Sequence, residues 1–219
     1  MDILTICNNA LGEISAAFIT DLQEASVEAE NCRRLYPQVV QDALEWDEDG
    51  FEFATRRAAL AVVSNDRQQE WTFAYVVPAD MGKPLRIIKY DPTAAAVSYP
   101  EYGPYPFPSQ IAFGDIPFEI ANRTIYTNVE AAWFEYVLKD VSPSVMSAAF
   151  RRAIELELAA RLVMPIRKKV ELRAEVAKLA GVSRQFAIAE NRNRRPVLDT
   201  HVVTARDHAR AGYGLDVLV

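Results

Sequence analysis

Few side chains in this sequence have the type and spacing of a catalytic or metal-binding group. The two histidines, His201 and His208, lie near Asp199 and Asp207, where a metal ion could be held. Their seven-residue spacing fits no common ligand motif, so we interpret both as solvated surface residues. The sequence has neither a glycine-rich phosphate loop nor a GxSxG motif, and only 8 of its residues are glycine. These observations predict a protein that is not an enzyme and that uses no cofactor or metal.

Two further stretches carry groups that could bind a ligand. The turn Asp47-Glu48-Asp49 offers carboxylates for Ca²⁺, but the spacing of EF-hand ligands is absent, so a solvated turn is the favoured interpretation. Residues 99–107 combine tyrosine with proline and could form an aromatic platform for a ligand. Because proline cannot pair within a central strand, we instead interpret residues 99–108 as a stiff loop that packs on a sheet or on a partner.

The cysteines and the hydropathy of the chain bear on its compartment. Cys7 and Cys32 form no CxxC pair and lie in predicted helices, which favours small buried apolar residues over a disulfide or a zinc site. No apolar run approaches the ~20 residues of a membrane-spanning helix, and the first residues lack the basic start of a signal peptide. We therefore expect synthesis in a reducing cytoplasm, without secretion by that route and without insertion in a membrane.

Helical periodicity dominates the start of the chain. A short helix is predicted over residues 3–11 and ended by Gly12, because glycine is preferred at helix C-termini. Asp21, followed by Glu24, has the spacing of a capping box and predicts the start of a long amphipathic helix. Pro37 lies inside that helix, where it should kink or divide it.

Strand-like sequence fills the middle of the chain. Residues 51–63 are an apolar element that we interpret as helix or loop. Beyond them, runs of aromatic and β-branched residues predict strands at residues 71–77, 85–90, 118–120, 124–127 and 131–138. The third and fourth runs should form a hairpin, with the fifth as its next strand.

Helical spacing returns after Ser142-Pro143 and continues to Pro165. A second helix is predicted to open near Ile166 and to pass straight through Gly181, which costs about 1 kcal/mol relative to alanine. Its predicted apolar stripe consists of Leu172, Val176, Leu179, Ser183, Phe186 and Glu190. From Asn191 onward the periodicity is lost, which predicts a segment that docks on another surface.

This order of elements predicts an α+β fold in four parts. Residues 1–68 and 142–191 would supply the N- and C-terminal helices of an antiparallel helical bundle. Residues 69–141 would form an inserted small antiparallel β-sheet domain, and residues 192–219 an extended C-terminal docking tail. A chain of 219 residues, 50% of them hydrophobic, is long enough to bury a substantial core without disulfides.

The net charge of −6 is a near-cancellation between two ends of opposite sign. Residues 1–60 carry twelve acids and four bases, a net of −8, whereas residues 151–195 carry twelve bases and five acids, a net of +7. We expect these segments to face each other, either inside one helical bundle or between neighbouring subunits. Overall acidity argues against binding of nucleic-acid phosphates, which depends on clustered cations.

Four local strings, in this order, resemble the tail tubular protein A family, the head-to-tail adaptors of short-tailed bacteriophages. They cover residues 8–14 (NNALGEI), 51–60 (FEFATRRAAL), 71–86 (including YVVPAD) and 136–165 (including Tyr136, Asp140, Pro143 and the alanine-rich run 150–165). The family patterns are N-x-A-L-x-x-L-G-E-x-x-I, W-x-F-A-T-x-R-x-x-L, Y-x-x-P-x-D-x-L-R and Y-x-x-x-V-x-D-P-x-x-F-x-x-A-L-x-x-x-L-A-x-x-L-A-x-P, and Phe51 stands where the family usually has tryptophan. The tail and the proline-rich loop lie outside the shared pattern.

The resemblance implies a structural virion protein of the phage neck, made in the bacterial cytoplasm. Such adaptors assemble as a ring, usually of twelve subunits, between the portal protein and the tail nozzle or tube. Genomic DNA passes through the ring without specific binding during genome ejection. The alternatives are another phage neck or tail completion protein and, more remotely, a tail-associated hydrolase.

The same resemblance places the end of the chain against the portal. The expected portal-interface residues are Arg192, Arg194, Arg195, Leu215, Val217, Leu218 and Val219. Deletion of residues 191–219 is accordingly expected to abolish docking while leaving most of the helix content intact.

Overall fold

The computed structural model describes residues 2–88 and 116–194, and it confirms the predicted mixed α+β class. The helices are α1 (Ile3–Glu13), α2 (Val27–Leu44), α3 (Ala148–Leu162) and α4 (Val170–Arg194). The strands are β1 (Thr55–Ala59), β2 (Val62–Val63), β3 (Phe73–Val76), β4 (Met81–Ile88), β5 (Phe118–Ala121), β6 (Thr124–Thr127) and β7 (Trp133–Leu138). The predictions for His201, His208, loop 99–108 and residues 195–219 lie outside the described residues. Within the described ranges no helix is both long and apolar enough to cross a membrane.

Helix α3 is the central helix, since α1, α2 and α4 all pack against it. Its buried positions combine small and large side chains, among them Ala153, Ile154, Leu158 and Ala159. The alanines let the neighbouring helices approach closely, and the larger residues fill the space between them. The main hydrophobic core therefore lies among the four helices, with Phe51 and Val137 closing it from the side of the strands.

The strands form two antiparallel sheets instead of the single sheet predicted. One sheet has the order β1-β7-β4 and the other β2-β3-β6-β5. A second core lies between them, built on Tyr75 and Ile125 from one sheet and Phe134 and Tyr136 from the other. The prediction of helix or loop for residues 51–63 is wrong at its C-terminal half, because β1 and β2 lie there, ahead of residue 69.

The hairpin β5–β6 is confirmed, and its turn residues Asn122 and Arg123 both have positive φ, as a two-residue type I′ turn requires. Strand β7 is not the next strand of that hairpin. It pairs with β1 and β4, where side chains on both of its faces are buried, including Glu135, which pairs with Arg57 of β1 and Arg86 of β4. Phe134 and Tyr136 face the inter-sheet core, and Val137 faces the helices. A strand with buried residues on both faces needs a central position in its sheet, which is where β7 lies.

Helix α2 begins five residues later than the capping-box pattern predicted. Its N-cap is Ser26, whose hydroxyl accepts a hydrogen bond from the Ala29 amide at 3.2 Å. Asp21 instead accepts from the Gln23 amide in a turn, and the Glu24 carboxylate accepts from the Thr20 amide. Pro37 does not divide the helix, which is continuous from Val27 to Leu44 because apolar residues on both sides of the proline are buried against the core.

The Glu24 carboxylate provides a pH-dependent test of this corner. Hydrogen bonds from the Ser26 hydroxyl and from Thr20 lower its pKa to about 2. Because the pKa of Glu24 is lower in the folded protein, these hydrogen bonds stabilise the fold. Their contribution to the free energy of unfolding is complete above the unfolded pKa of about 4.3 and is lost as the pH falls toward 2. We expect a carboxyl NMR titration to give a Glu24 midpoint near 2 in the folded protein. The same carboxyl in urea should titrate near ~4.3, and an equal midpoint in both states would contradict the described hydrogen bonds.

The C-terminal helices also start later than predicted. Helix α3 is capped by Ser147, whose hydroxyl accepts from the Phe150 amide at 3.2 Å, so Ser142-Pro143 lies in the preceding turns. A π-helical turn from Val163 to Arg167 contains Pro165, and Lys168 in the left-handed region ends it. Helix α4 then runs without a break through Gly181 to Arg194, beyond the end expected at Asn191.

Candidate docking surfaces

The two described residues of the expected portal interface lie in the last turn of α4. Arg192 approaches Asp47, with 3.4 Å between a guanidinium nitrogen and Oδ1, and Arg194 donates to Glu190 Oε1 at 2.5 Å. Both arginine side chains are more than half exposed. Their charged ends therefore remain accessible to a partner. Arg195, Leu215, Val217, Leu218 and Val219 lie outside the described residues.

A buried polar cluster fixes this end of α4 to the loop that follows α2. The Asn191 carboxamide donates to Asp47 Oδ2 at 2.8 Å and to the Gly50 carbonyl at 3.0 Å. Its oxygen accepts from the Glu52 amide at 3.0 Å. Lys83 donates to the Asp47 carbonyl at 3.2 Å. The cluster satisfies polar groups that would otherwise be costly to bury.

This cluster corrects two sequence predictions. Asp47 is fully buried, so the interpretation of residues 47–49 as a solvated turn is wrong for its first carboxylate. Asn191 is also buried, because it is the hydrogen-bond partner that makes burial of Asp47 possible. Deleting residues 191–219 would therefore damage the fold as well as remove the tail. Sequence alone gave no signal for this pairing, since the two residues are 144 positions apart.

We expect Asn191→Ala to lower the free energy of unfolding by about 1–3 kcal/mol, because it leaves buried polar groups without partners. Urea denaturation followed by circular dichroism measures this change. Asn193→Ala is the matched control on the exposed side of the same helix, and it should stay within about 0.5 kcal/mol of the parent. Equal effects of the two substitutions would contradict a structural role for the cluster.

A half-open cleft of about 300 Å³ lies beside this end of α4. Its apolar wall is formed by Phe51, Phe53 and Val145, and its polar wall by Glu190 and Arg194. Val145 is 56% exposed at the rim. The cleft can accept an apolar side chain of a partner, with a carboxylate and a guanidinium placed to orient it.

The outer side of α4 carries an exposed apolar stripe composed of Leu179, Val182 and Phe186. Their spacing of three and four residues places them on one side of the helix. The helix instead buries Val176, Ala180, Ala187 and Asn191. The predicted stripe is therefore right at Val176 and wrong at Leu179 and Phe186, because small alanines form the close contact with α3 and displace the large residues sideways.

The two oppositely charged segments do face each other within one chain. Arg152 pairs with Glu13 at 2.7 Å, and Arg161 pairs with Asp42 at 2.7 Å. With Arg192 and Asp47, these pairs connect the C-terminal helices to the N-terminal third. Partly exposed pairs of this kind contribute about 0.2–1 kcal/mol each. They use three acids and three bases and leave several charges of each segment without a partner in the described region.

Cys7 and Cys32 are both free and fully buried, as the sequence indicated. Their thiols share a hydrogen bond between α1 and α2, which together with burial raises the pKa of Cys7. Across residues 2–88 and 116–194, no three histidine, cysteine, aspartate or glutamate side chains come together as metal ligands.

The protein is thus of the mixed α+β class. Helix α4 carries an exposed apolar stripe along its outer side and borders a cleft at its C-terminal end. A scan against protein-family models finds no match, and no curated protein is detectably similar to the chain.

Proposed function

We propose that this protein is a head-to-tail adaptor of a short-tailed bacteriophage, of the tail tubular protein A type. In this role it forms a ring of twelve subunits in the virion neck, between the portal protein and the tail nozzle or tube. The observation that carries the proposal is that the four strings resembling this family, although far apart in sequence, contact one another in the fold.

One contact group joins the second, third and fourth strings. Asp80 accepts from the Tyr136 hydroxyl at 2.9 Å and from Arg56 at 2.6 Å. The Tyr136 and Arg56 hydrogen bonds lower the pKa of the Asp80 carboxyl. These three residues lie on or next to β1, β4 and β7, so they hold the three-stranded sheet together at one end.

Two further contact groups join the remaining strings. In the first, Asn9 donates to Glu155 at 2.7 Å and Glu13 pairs with Arg152, which links the first string to the fourth. In the second, the rings of Phe51 and Phe53 pack on Phe150, which links the second string to the fourth. A resemblance carried by residues that build one framework supports a shared architecture more strongly than isolated matches do.

The surfaces also suit an adaptor. Contiguous exposed apolar side chains, such as Leu179, Val182 and Phe186, are typical of protein interfaces. The net charge of −6 suits a ring whose lumen lets DNA slide, because a chain with more acids than bases repels phosphates overall, and its basic segment can face a neighbouring subunit instead of the lumen.

Electron microscopy of the purified protein, alone and mixed with portal rings of the phage that encodes it, tests this proposal. We expect rings stacked coaxially on the portal. Association with a tail protein but not with the portal would favour another neck or tail completion protein. A chain that associates with neither would overturn the adaptor proposal.

The contribution of the tail is tested by a truncation that respects the buried cluster. Removing residues 195–219 keeps Asn191 and the last turn of α4, so the circular dichroism spectrum should retain its helical signal. If the tail binds the portal as proposed, co-sedimentation with portal rings should be lost. Unchanged co-sedimentation would show that the portal contact lies within residues 1–194 and not in the tail.

A further inference from the structure

Two corners of the molecule carry opposite charges that the chain does not neutralise itself. The basic corner lies between α3 and α4 and contains Arg167, Lys168, Lys169 and Arg173 around the exposed Val170. The acidic corner lies before and in the first turn of α2 and contains Asp21, Glu24, Glu28 and Glu30 around the exposed Phe18 and Val27. Both corners therefore combine charge with an apolar centre.

The basic corner has no partner within the described part of the chain. None of its four cations forms an ion pair or a side-chain hydrogen bond among residues 2–88 and 116–194, although two carboxylates, Glu171 and Glu175, lie beside Lys169 and Val170. All four side chains are exposed. Val170 is 69% exposed at their centre. The corner is thus a positively charged surface with an accessible apolar side chain.

The acidic corner is likewise uncompensated. Among the described residues, the Asp21 carboxylate accepts from the Gln23 amide, and the Glu24 carboxylate accepts from Thr20 and from the Ser26 hydroxyl. Glu28 and Glu30 form no ion pair in the described ranges, although Arg33 reaches back to Gln23 at 3.2 Å. Phe18 and Val27 are 69% and 58% exposed. This surface is negative and again carries apolar side chains.

We propose that the basic corner of one subunit binds the acidic corner of the next copy of this chain. The two patches differ and lie on one chain, so their contact is head-to-tail, the kind of interface that closes into a ring. Charge complementarity selects the pairing, and Val170 against Phe18 and Val27 supplies apolar contact. This interface rests on the proposed function, and it extends that function by identifying the surfaces that join the subunits.

A charge-swap experiment tests the pairing. One variant carries Lys169→Glu with Arg173→Glu, and the other carries Asp21→Lys with Glu28→Lys and Glu30→Lys, which leaves Glu24 as the single acid of the four and so reverses the net charge of the corner. Each variant alone places like charges against each other, so we expect the fraction of protein in rings to fall about tenfold, measured by mass photometry with and without portal rings. An equimolar mixture restores opposite charges at every contact of an alternating ring, so assembly should return to the parent level.

A control variant with Arg123→Glu and Lys139→Glu makes the same charge change on the sheets and should assemble like the parent. Raising the salt from 0.1 M to 0.5 M should weaken assembly of the parent, because screening shortens the reach of exposed charges to a few ångströms. Circular dichroism melting verifies that each variant is folded.

The outcomes separate this interface from the adaptor role. If the parent forms rings on portals and the two reversed variants do so equally well, the interface is wrong and the adaptor role stands. If folded variants stay unassembled even when mixed, the pairing of these two corners is also wrong. A parent chain that stays monomeric with portal rings present would overturn both.

Discussion

Replacing Phe150 with alanine is expected to lower the free energy of unfolding by about 3–5 kcal/mol. Phe150 is fully buried at the start of α3, and its ring centroid lies 4.5 Å from that of Phe51 and 4.9 Å from that of Phe53. Trp46 packs on it edge-on at 6.1 Å. The substitution empties the centre of an aromatic cluster that three separate segments build, and close-packed surroundings collapse only partly into such a space.

Urea denaturation of the Phe150→Ala variant measures this loss. Phe186→Ala removes the same ring from a site that is 67% exposed, so in the free subunit it should change the free energy of unfolding by at most about 0.5 kcal/mol. A loss below about 1 kcal/mol for Phe150→Ala would show that the aromatic cluster does not hold the helices to the sheets.

Replacing Gly50 with alanine is expected to cost about 2–4 kcal/mol, from strain of the left-handed backbone and from overpacking. Gly50 has a φ of +71°, and a Cβ there would lie 2.6 Å from Val137 Cγ2 and 3.1 Å from Thr55 Oγ1. Its carbonyl also accepts from Asn191. The glycine therefore lets the loop after α2 pass close to β7 while keeping the buried cluster in place.

Gly181→Ala is the matched control, with an effect of the opposite sign. Apart from its chain neighbours and the backbone of its own helix, no described atom lies within 4 Å of a Cβ at Gly181, and the residue is in the middle of α4. Alanine there should raise the free energy of unfolding by up to about 1 kcal/mol, because it is the better helix former. Thermal melts of the two variants should move in opposite directions, and a destabilised Gly181→Ala would contradict a continuous α4.

The element types were predictable because they depend on local periodicity. The 3.6-residue spacing located the four helices of the described region, and the β-branched and aromatic runs located β3, β4, β5, β6 and β7 within a few residues. The elements that were not predicted are those that depend on partners far away in the sequence. Strand β1, with sequence Thr-Arg-Arg-Ala-Ala, has a weak strand pattern and forms because it pairs with β7.

The candidate site was predictable only in part. Arg192 and Arg194 were predicted as portal contacts; their side chains are more than half exposed, and the contact itself stays a prediction. The buried pair Asp47 and Asn191 was missed, because a carboxylate in an acidic run has the composition of a solvated turn. The exposed stripe of α4 was missed because periodicity identifies an apolar side of a helix but does not say which part of it a neighbour covers.

The sequence by itself determined the α+β class, the order of the elements and the separation of charge between the two ends, because composition and periodicity are local properties. Only the tertiary structure decided that the strands divide into two sheets and which acids and bases neutralise each other. It also decided that Phe150 is buried while Phe186 is exposed. These outcomes depend on which distant segments pack together. Local sequence patterns are compatible with several strand pairings, ion pairs and buried faces, and the packing of the whole chain decides among them.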